Sequence, residues 1–295
     1  MIYSFLENST DIHIHCCPHI NKRSTDIFEV IKFAEKNKMY AIGLMDNFSN
    51  TSGYAALVKK NFPKLNLKIF GGLIMEPPAG GVSYENAKIS LEYSYFENDG
   101  AKFISFPTHH TRYIAIQEKR KSDYIQACFY VPDSGPTNET SKILELIAKK
   151  NVVLNTGHLS PKETLTLVKA AKSLGVEKIL VPSNNFNKTT IEKLKIHNVY
   201  FEFSYFFVSK ATEVPLTHVD DELHKIKGLT LKTLKDLIEA ADPKNVILSS
   251  DCGVSILPKP HLGFYQFIKQ VHELGFTMEE IDYMIKTNSK RLFRI

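Results

Sequence analysis

"VVLNTGHLSPKETLTLVKAAKSLGVEKILV", residues 152–181, holds one complete strand–helix–strand unit. The run Val152–His158 is short and apolar, as a strand buried on both faces must be. Ser160 then stands at an N-cap position, Pro161 in the first turn, and Glu163 where a capping box needs an acid. Helical spacing runs on to Gly175, a residue type that terminates helices. A second apolar run, Lys178–Pro182, resumes the strand pattern.

The same alternation fills the chain. Strand runs are expected at Asp11–His15, Ala41–Asp46, Lys68–Leu73, Lys102–Pro107, Val152–His158, Lys178–Pro182, Val199–Ser204 and Val246–Asp251. Between them lie amphipathic stretches such as "STDIFEVIKFAEKN" (24–37), capped by Ser24 or Thr25 and apolar at Ile27, Val30, Ile31 and Ala34. The segments at 230–243 and 261–275 read the same way. Eight strands alternating with helices predict an α/β fold, a (β/α)8 TIM barrel formed as a single domain by residues 1–295. An open doubly wound sheet is the alternative; it is weakened because "GGLIMEPPAGG" (71–81) is not a GxGxxG phosphate loop. Residues 277–295 form an extra C-terminal helix. Residues 108–136 break the rhythm as a long loop excursion after the fourth strand, and such insertions often serve as lids or substrate loops.

Composition narrows the function classes. With 295 residues, 43% hydrophobic and 23% charged, the chain has material for one large core and a normal soluble surface. No apolar run approaches the roughly 18 residues that span a membrane. The start "MIYSFLENST" lacks a basic stretch followed by an apolar block, so a cytoplasmic protein is expected. Four cysteines without a CxxC pair argue against a structural zinc site or a disulfide framework. The net charge of +5 is spread along the chain. That suits an anionic small substrate and solvated faces equally, and gives nucleic acid no recognition stripe.

The chemistry-bearing residues fall at strand ends. His13 and His15 are two apart on a strand, so both face one side, and at the C-terminal end of a barrel strand that side is the mouth. Asp11 shares the parity and is expected deeper. Alone, an HxH pair reads as two hydrogen-bonded polar residues. His158 ends the fifth strand and Asp251 the eighth, so four groups converge on one rim. Three imidazoles and a carboxylate form a chemically sensible set for a divalent ion, with a position left for water. Asp251 is also placed to accept a proton. His109 and His110 follow the fourth strand as acid–base candidates; neighbours in an extended segment point opposite ways, so one of them should face the site. Arg112, Tyr113, Asn184 and Glu202 are substrate-binding candidates, Arg112 as a two-pronged clamp for carboxylate or phosphate. Asp46, Asn47 and Glu76 end the second and third strands as supporting groups. Lys22, Arg23 and Lys259 lie on rim-side loops and favour anions. Each of these reads as well as a solvated or hydrogen-bonded loop residue. Cys16, Cys17 and Cys252 read as small buried fillers before they read as ligands or nucleophiles. His19, His197, His218, His224, His261 and His272 lack a supporting context.

The DxHxH of the first strand, the histidine ending the fifth, the aspartate ending the eighth and the C-terminal "NSKRLF" together resemble the amidohydrolase superfamily of metal-dependent hydrolases. Residues 152–181 resemble an uncharacterised amidohydrolase-related subgroup. The resemblance covers essentially the whole chain and implies His13, His15, His158 and Asp251 as metal ligands. Two departures bear on metal number. Ser183 and Asn184 stand where the family usually has a sixth-strand histidine, and Lys102 lies at the start of the fourth strand rather than at the bridging position. One metal, or a degenerate site, is therefore implied rather than two. The expected cofactor is one divalent ion, Zn2+ first given the imidazole-rich ligation. The expected reaction is attack of metal-activated water on a C–N or C–O bond of a small polar, possibly anionic substrate. A metal-assisted decarboxylase with Arg112 gripping a carboxylate is the rival on this scaffold, and a non-catalytic barrel with a decayed site the rival outside it. The expected partner is a small molecule, without nucleic acid or membrane, and homo-oligomers are left open.

Overall fold

All eight expected runs form strands, and they close on themselves. The computed structural model describes residues 4–295; Met1–Tyr3, part of the leader reading, lie outside the described residues. The strands are β1 (Thr10–Ile14), β2 (Ala41–Leu44), β3 (Lys68–Gly71), β4 (Leu73–Ile74), β5 (Phe103–Ser105), β6 (Val153–Asn155), β7 (Ile179–Pro182), β8 (Tyr200–Ser204) and β9 (Val246–Ser249). They run parallel in the orders β1–β2–β3 and β4 through β9. Strands β3 and β4 are two halves of the third expected run. The Thr51 hydroxyl fills the break between them, donating to Leu44 O at 2.7 Å and accepting the Gly72 N–H at 2.9 Å. A Cβ at Gly71 would lie 2.3 Å from Thr51 O, so only glycine lets that plug approach.

The end of β9 closes the ring onto β1. The His15 N–H donates to Cys252 O at 2.8 Å, and the Asp251 N–H donates to His13 O at 2.9 Å. Asp251 (φ 48°) and Gly253 (φ 128°) both adopt left-handed backbone to make this junction. A Cβ on Gly253 would lie 1.6 Å from His15 O, which excludes every other residue type.

Two apolar layers result. The barrel interior packs Ile12, Phe70, Ile74, Phe103, Val153, Leu180 and Ile247, sealed at the bottom by Leu292 and Phe293 of the C-terminal helical run. The larger layer fills the space between barrel and helices. Strand β1 departs from simple alternation. Its register with β2 shifts between Asp11 and Ile14, so Ile12 packs inside while Ile14 joins the outer layer. Asp11, expected on the histidine face, instead borders the helix Ile27–Lys36. There its Oδ1 accepts the N–H groups of His13 (3.3 Å) and Ser250 (3.0 Å). The helix caps are mixed: Ser160 and Glu163 form the capping box as expected, but Asp26, not Ser24 or Thr25, caps the first long helix. The 108–136 excursion is not an open loop: it folds into the short helices Arg112–Gln117 and Ser122–Ala127.

The junction makes a stability prediction. Gly253→Ala is expected to lose about 3 kcal/mol or more, because strain and a backbone clash combine. Gly175→Ala, left-handed at φ 85° but facing open space, should lose only about 1 kcal/mol. Urea unfolding of both variants measures this; equal losses would mean the junction tolerates a side chain.

Candidate metal centre and its cavity

The strand ends bring His13, His15 and Asp251 to one point. His13 Nε2 and His15 Nε2 are 3.2 Å apart. Asp251 Oδ1 is 3.4 Å from the first and 3.2 Å from the second. Donor atoms bonded at roughly 2.0–2.1 Å to a tetrahedral ion lie about 3.3 Å from one another. The triangle thus has the dimensions of a metal face, and it is the one such group among the described residues.

Buried neighbours fix this orientation. Glu202, inside the barrel on β8 and only 1% exposed, takes His13 Nδ1 at 2.9 Å and the Ser249 hydroxyl at 2.7 Å. A carboxylate holding one ring nitrogen fixes the ring so that the other faces the cluster, where a cation would take the place of its proton. Glu202, expected at the substrate, therefore sits behind His13. Burial alone would lower the pKa of His13, but Asp251 and Glu202 outweigh it and raise it to about 9. Burial holds His15 down at about 4. Burial would raise Asp251, yet the surrounding imidazoles His13, His15 and His158 bring it below its ordinary value. The centre thus draws a positive charge between two carboxylates, which suits a cation.

A cavity of about 370 Å³ opens over the triangle, lined by His13, His15, His158 and Asp251 together with His109 and His218. His158 is outside the close triangle but faces the same space from the end of β6. Gly157 (φ 66°) places it there: a Cβ would lie 2.2 Å from Pro107 O. Of the adjacent pair, His109 lines the cavity, while His110 turns away against the Tyr124 ring at 5.2 Å. Glu76 sets that turn. Fully buried, it accepts the N–H groups of Thr108 (2.7 Å), His109 (2.6 Å) and His110 (3.1 Å).

Several expected substrate contacts lie elsewhere. Arg112 stacks on Tyr130 at 3.4 Å and donates to Gln126 O, so it braces the excursion rather than the site. Tyr113, beside it, does not line the cavity. Asn184 Oδ1 accepts the Ser204 N–H at 3.1 Å, which ties β7 to β8 instead of reaching a ligand. Asn47 and Arg23 do line the cavity. Cys16 and Cys252 are buried and, with all four thiols free, burial pushes Cys16 up to about 12.

A cover over the cavity comes from a segment without a sequence signature. Residues 209–229 carry no helical or strand periodicity, yet Leu216, Thr217, His218 and Ile226 line the cavity. Leu216 and His224 pair through both backbone hydrogen bonds, at 2.9 and 3.0 Å, making a short flap. His218 stacks on His109 with centroids 4.1 Å apart. Burial lowers both imidazoles, His218 to about 4. The flap is tied down by the excursion: Arg120, 4% exposed, contacts Glu118 (3.0 Å), Asp220 (2.5 Å) and Glu222 (2.7 Å).

Comparison with known proteins fits this picture. A family model described as a family of unknown function (DUF6282) matches residues 8–202. The chain belongs to that family. No curated protein matches the sequence. Solved structures share the fold. The phosphotriesterase homology protein of Escherichia coli superposes with a TM-score of 0.62 at 13% identity, over 98% of this chain and 99% of that one. The probable dipeptidase PvdM of Pseudomonas aeruginosa gives 0.62 at 12%, over 97% and 94%. The organophosphorus hydrolase of Deinococcus radiodurans gives 0.56 at 13%, over 90% and 82%. These are TIM barrels of the amidohydrolase superfamily, so the resemblance read from the sequence of this DUF6282 member holds at the level of its fold. No helix among the described residues is long and apolar enough to cross a membrane.

Arg120→Met is expected to release the flap. Amide exchange across 209–229 should rise at least several-fold, while β1 and β9 stay protected. Unchanged exchange in the flap would show that Arg120 does not hold it.

Proposed function

We propose that this protein is a metal-dependent hydrolase, with one divalent ion held by His13, His15 and Asp251 and with His158 as the further ligand. The observation that carries the reading is the 3.2–3.4 Å triangle of donor atoms at the bottom of a cavity of small-molecule size. Zn2+ is the best fit, because the donor set is imidazole-rich with one carboxylate. The chemistry such an ion supplies is Lewis acidity and water activation.

The chain's own residues do the rest. Glu202 holds His13 in the tautomer that keeps Nε2 free. Asp251 commits Oδ1 to the cluster and has Oδ2 left to accept a proton. His109 faces the same space from the end of β5. Burial keeps it neutral, so its imidazole can first accept a proton and then hand that proton to a leaving group. The flap covers part of the cavity, and the excursion holds the flap through Arg120. The fold neighbours bear hydrolase names, a dipeptidase and a 2-pyrone-4,6-dicarboxylic acid hydrolase among them. Those names support the reading that a C–N or C–O bond is cleaved here.

Metal analysis tests the reading. Protein purified without chelator should carry close to one equivalent of zinc, and His15→Ala or Asp251→Asn should lose it while remaining folded. Glu202→Gln should weaken zinc binding roughly 10- to 100-fold. Asn tolerates the left-handed backbone at 251, so loss of metal in Asp251→Asn would report the ligand and not the junction. Metal content unaffected in both ligand variants would end the proposal.

A further inference from the structure

We propose that the centre takes anionic substrates, with Arg23 gripping a carboxylate or phosphate group beside the His13–His15–Asp251 cluster; this rests on the hydrolase reading above. The cavity lining offers both charge and apolar surface. Its two Lys or Arg side chains, Lys22 and Arg23, come from one loop. Phe206, Phe207, Leu216 and Ile226 contribute apolar surface. The single carboxylate in the lining is Asp251, which the cation claims. An anionic head on Arg23 and an apolar remainder on these side chains match that lining.

Arg23 is built in rather than waving in solvent. Its backbone bridges Val254 in antiparallel fashion, and the next residue's N–H donates to Gly253 O at 2.8 Å. Its position therefore depends on the same junction that forms the metal triangle. One end of the guanidinium meets the His19 ring. That ring is pinned in turn by Asp46, 3.2 Å from Nε2, and by the Asn21 N–H at 2.8 Å on Nδ1. Asp46 is already occupied by the Phe48 N–H and the Ser49 hydroxyl, both at 2.8 Å. Arg23 Nε, by contrast, is buried without a hydrogen-bond partner. Burial also lowers the pKa of Arg23, as expected of a cation short of counter-charge despite Asp46 and Asp251 nearby. A half-buried guanidinium with an unpaired Nε donor on a cavity wall suits planar oxyanion recognition. Arg112, which the sequence offered for this task, also has an unpaired Nε, but it stacks on Tyr130, donates to Gln126 O and does not line the cavity.

The probes are inorganic phosphate, benzoate and the uncharged benzamide. They are titrated calorimetrically into the full chain as purified and after zinc loading, with zinc measured in each sample. Wild type should bind phosphate or benzoate but not benzamide, and the preferred anion tells a phosphate site from a carboxylate site. Arg23→Met should weaken that anion at least about tenfold with zinc content unchanged. Arg23→Lys, which keeps charge without the fork, should fall between them and decides the matter if the Met variant does not fold. Equal anion affinity in the Arg23 variants, or no anion binding by wild type, would overturn the inference. Absence of zinc before and after loading would instead overturn the hydrolase reading, and the Arg23 comparison would still be read on the protein as purified.

Discussion

Closure of the last strand onto the first is the constraint on which the rest of this molecule depends. Two backbone hydrogen bonds, Asp251 N–H to His13 O and His15 N–H to Cys252 O, join residues far apart in sequence. The same step that completes the barrel brings a carboxylate onto two imidazoles. It also fixes Arg23, whose neighbour Ser24 donates to Gly253 O. Fold and site thus share their interactions at this point. The left-handed backbone of Asp251 and Gly253 is the local cost of that sharing.

Buried carboxylates organise the polar groups around it. Glu202 directs His13, Asp11 ties β1 to the residue before Asp251, and Glu76 gathers three successive N–H groups to aim His109 inward and His110 outward. None of the three lines the cavity, and each would be expensive without its donors. Substrate-facing chemistry is left to the imidazoles, Asp251 and Arg23, while the structural carboxylates stay behind them. Arg120 repeats the arrangement with signs reversed, one cation gathering Glu118, Asp220 and Glu222 to hold the flap.

Much of this was legible in the sequence, for reasons that also explain what was not. Strands buried on both faces leave short apolar runs, so all eight were found. Parity placed His13 and His15 together, and strand ends placed His158 and Asp251 on the same rim. The register shift in β1 leaves no compositional trace, so strand parity alone puts Asp11 on the wrong face. The break at Gly72 depends on a threonine twenty-one residues away. Residues 209–229 lack periodicity because, apart from the Leu216–His224 pairing, they fold against the barrel mouth, and that hides His218 from a sequence reading. Arg112 and Arg23 looked alike as loop arginines; only their neighbours in space separate them.

The account's central claim is that His13, His15 and Asp251 form a cation site. Anomalous diffraction from crystals of zinc-loaded protein, recorded on either side of the zinc absorption edge, tests it most directly. One peak between the two Nε2 atoms and Asp251 Oδ1, on the side open to His158, is the expected result. Well-ordered crystals with no anomalous peak at the triangle, or with the metal bound elsewhere, would contradict it.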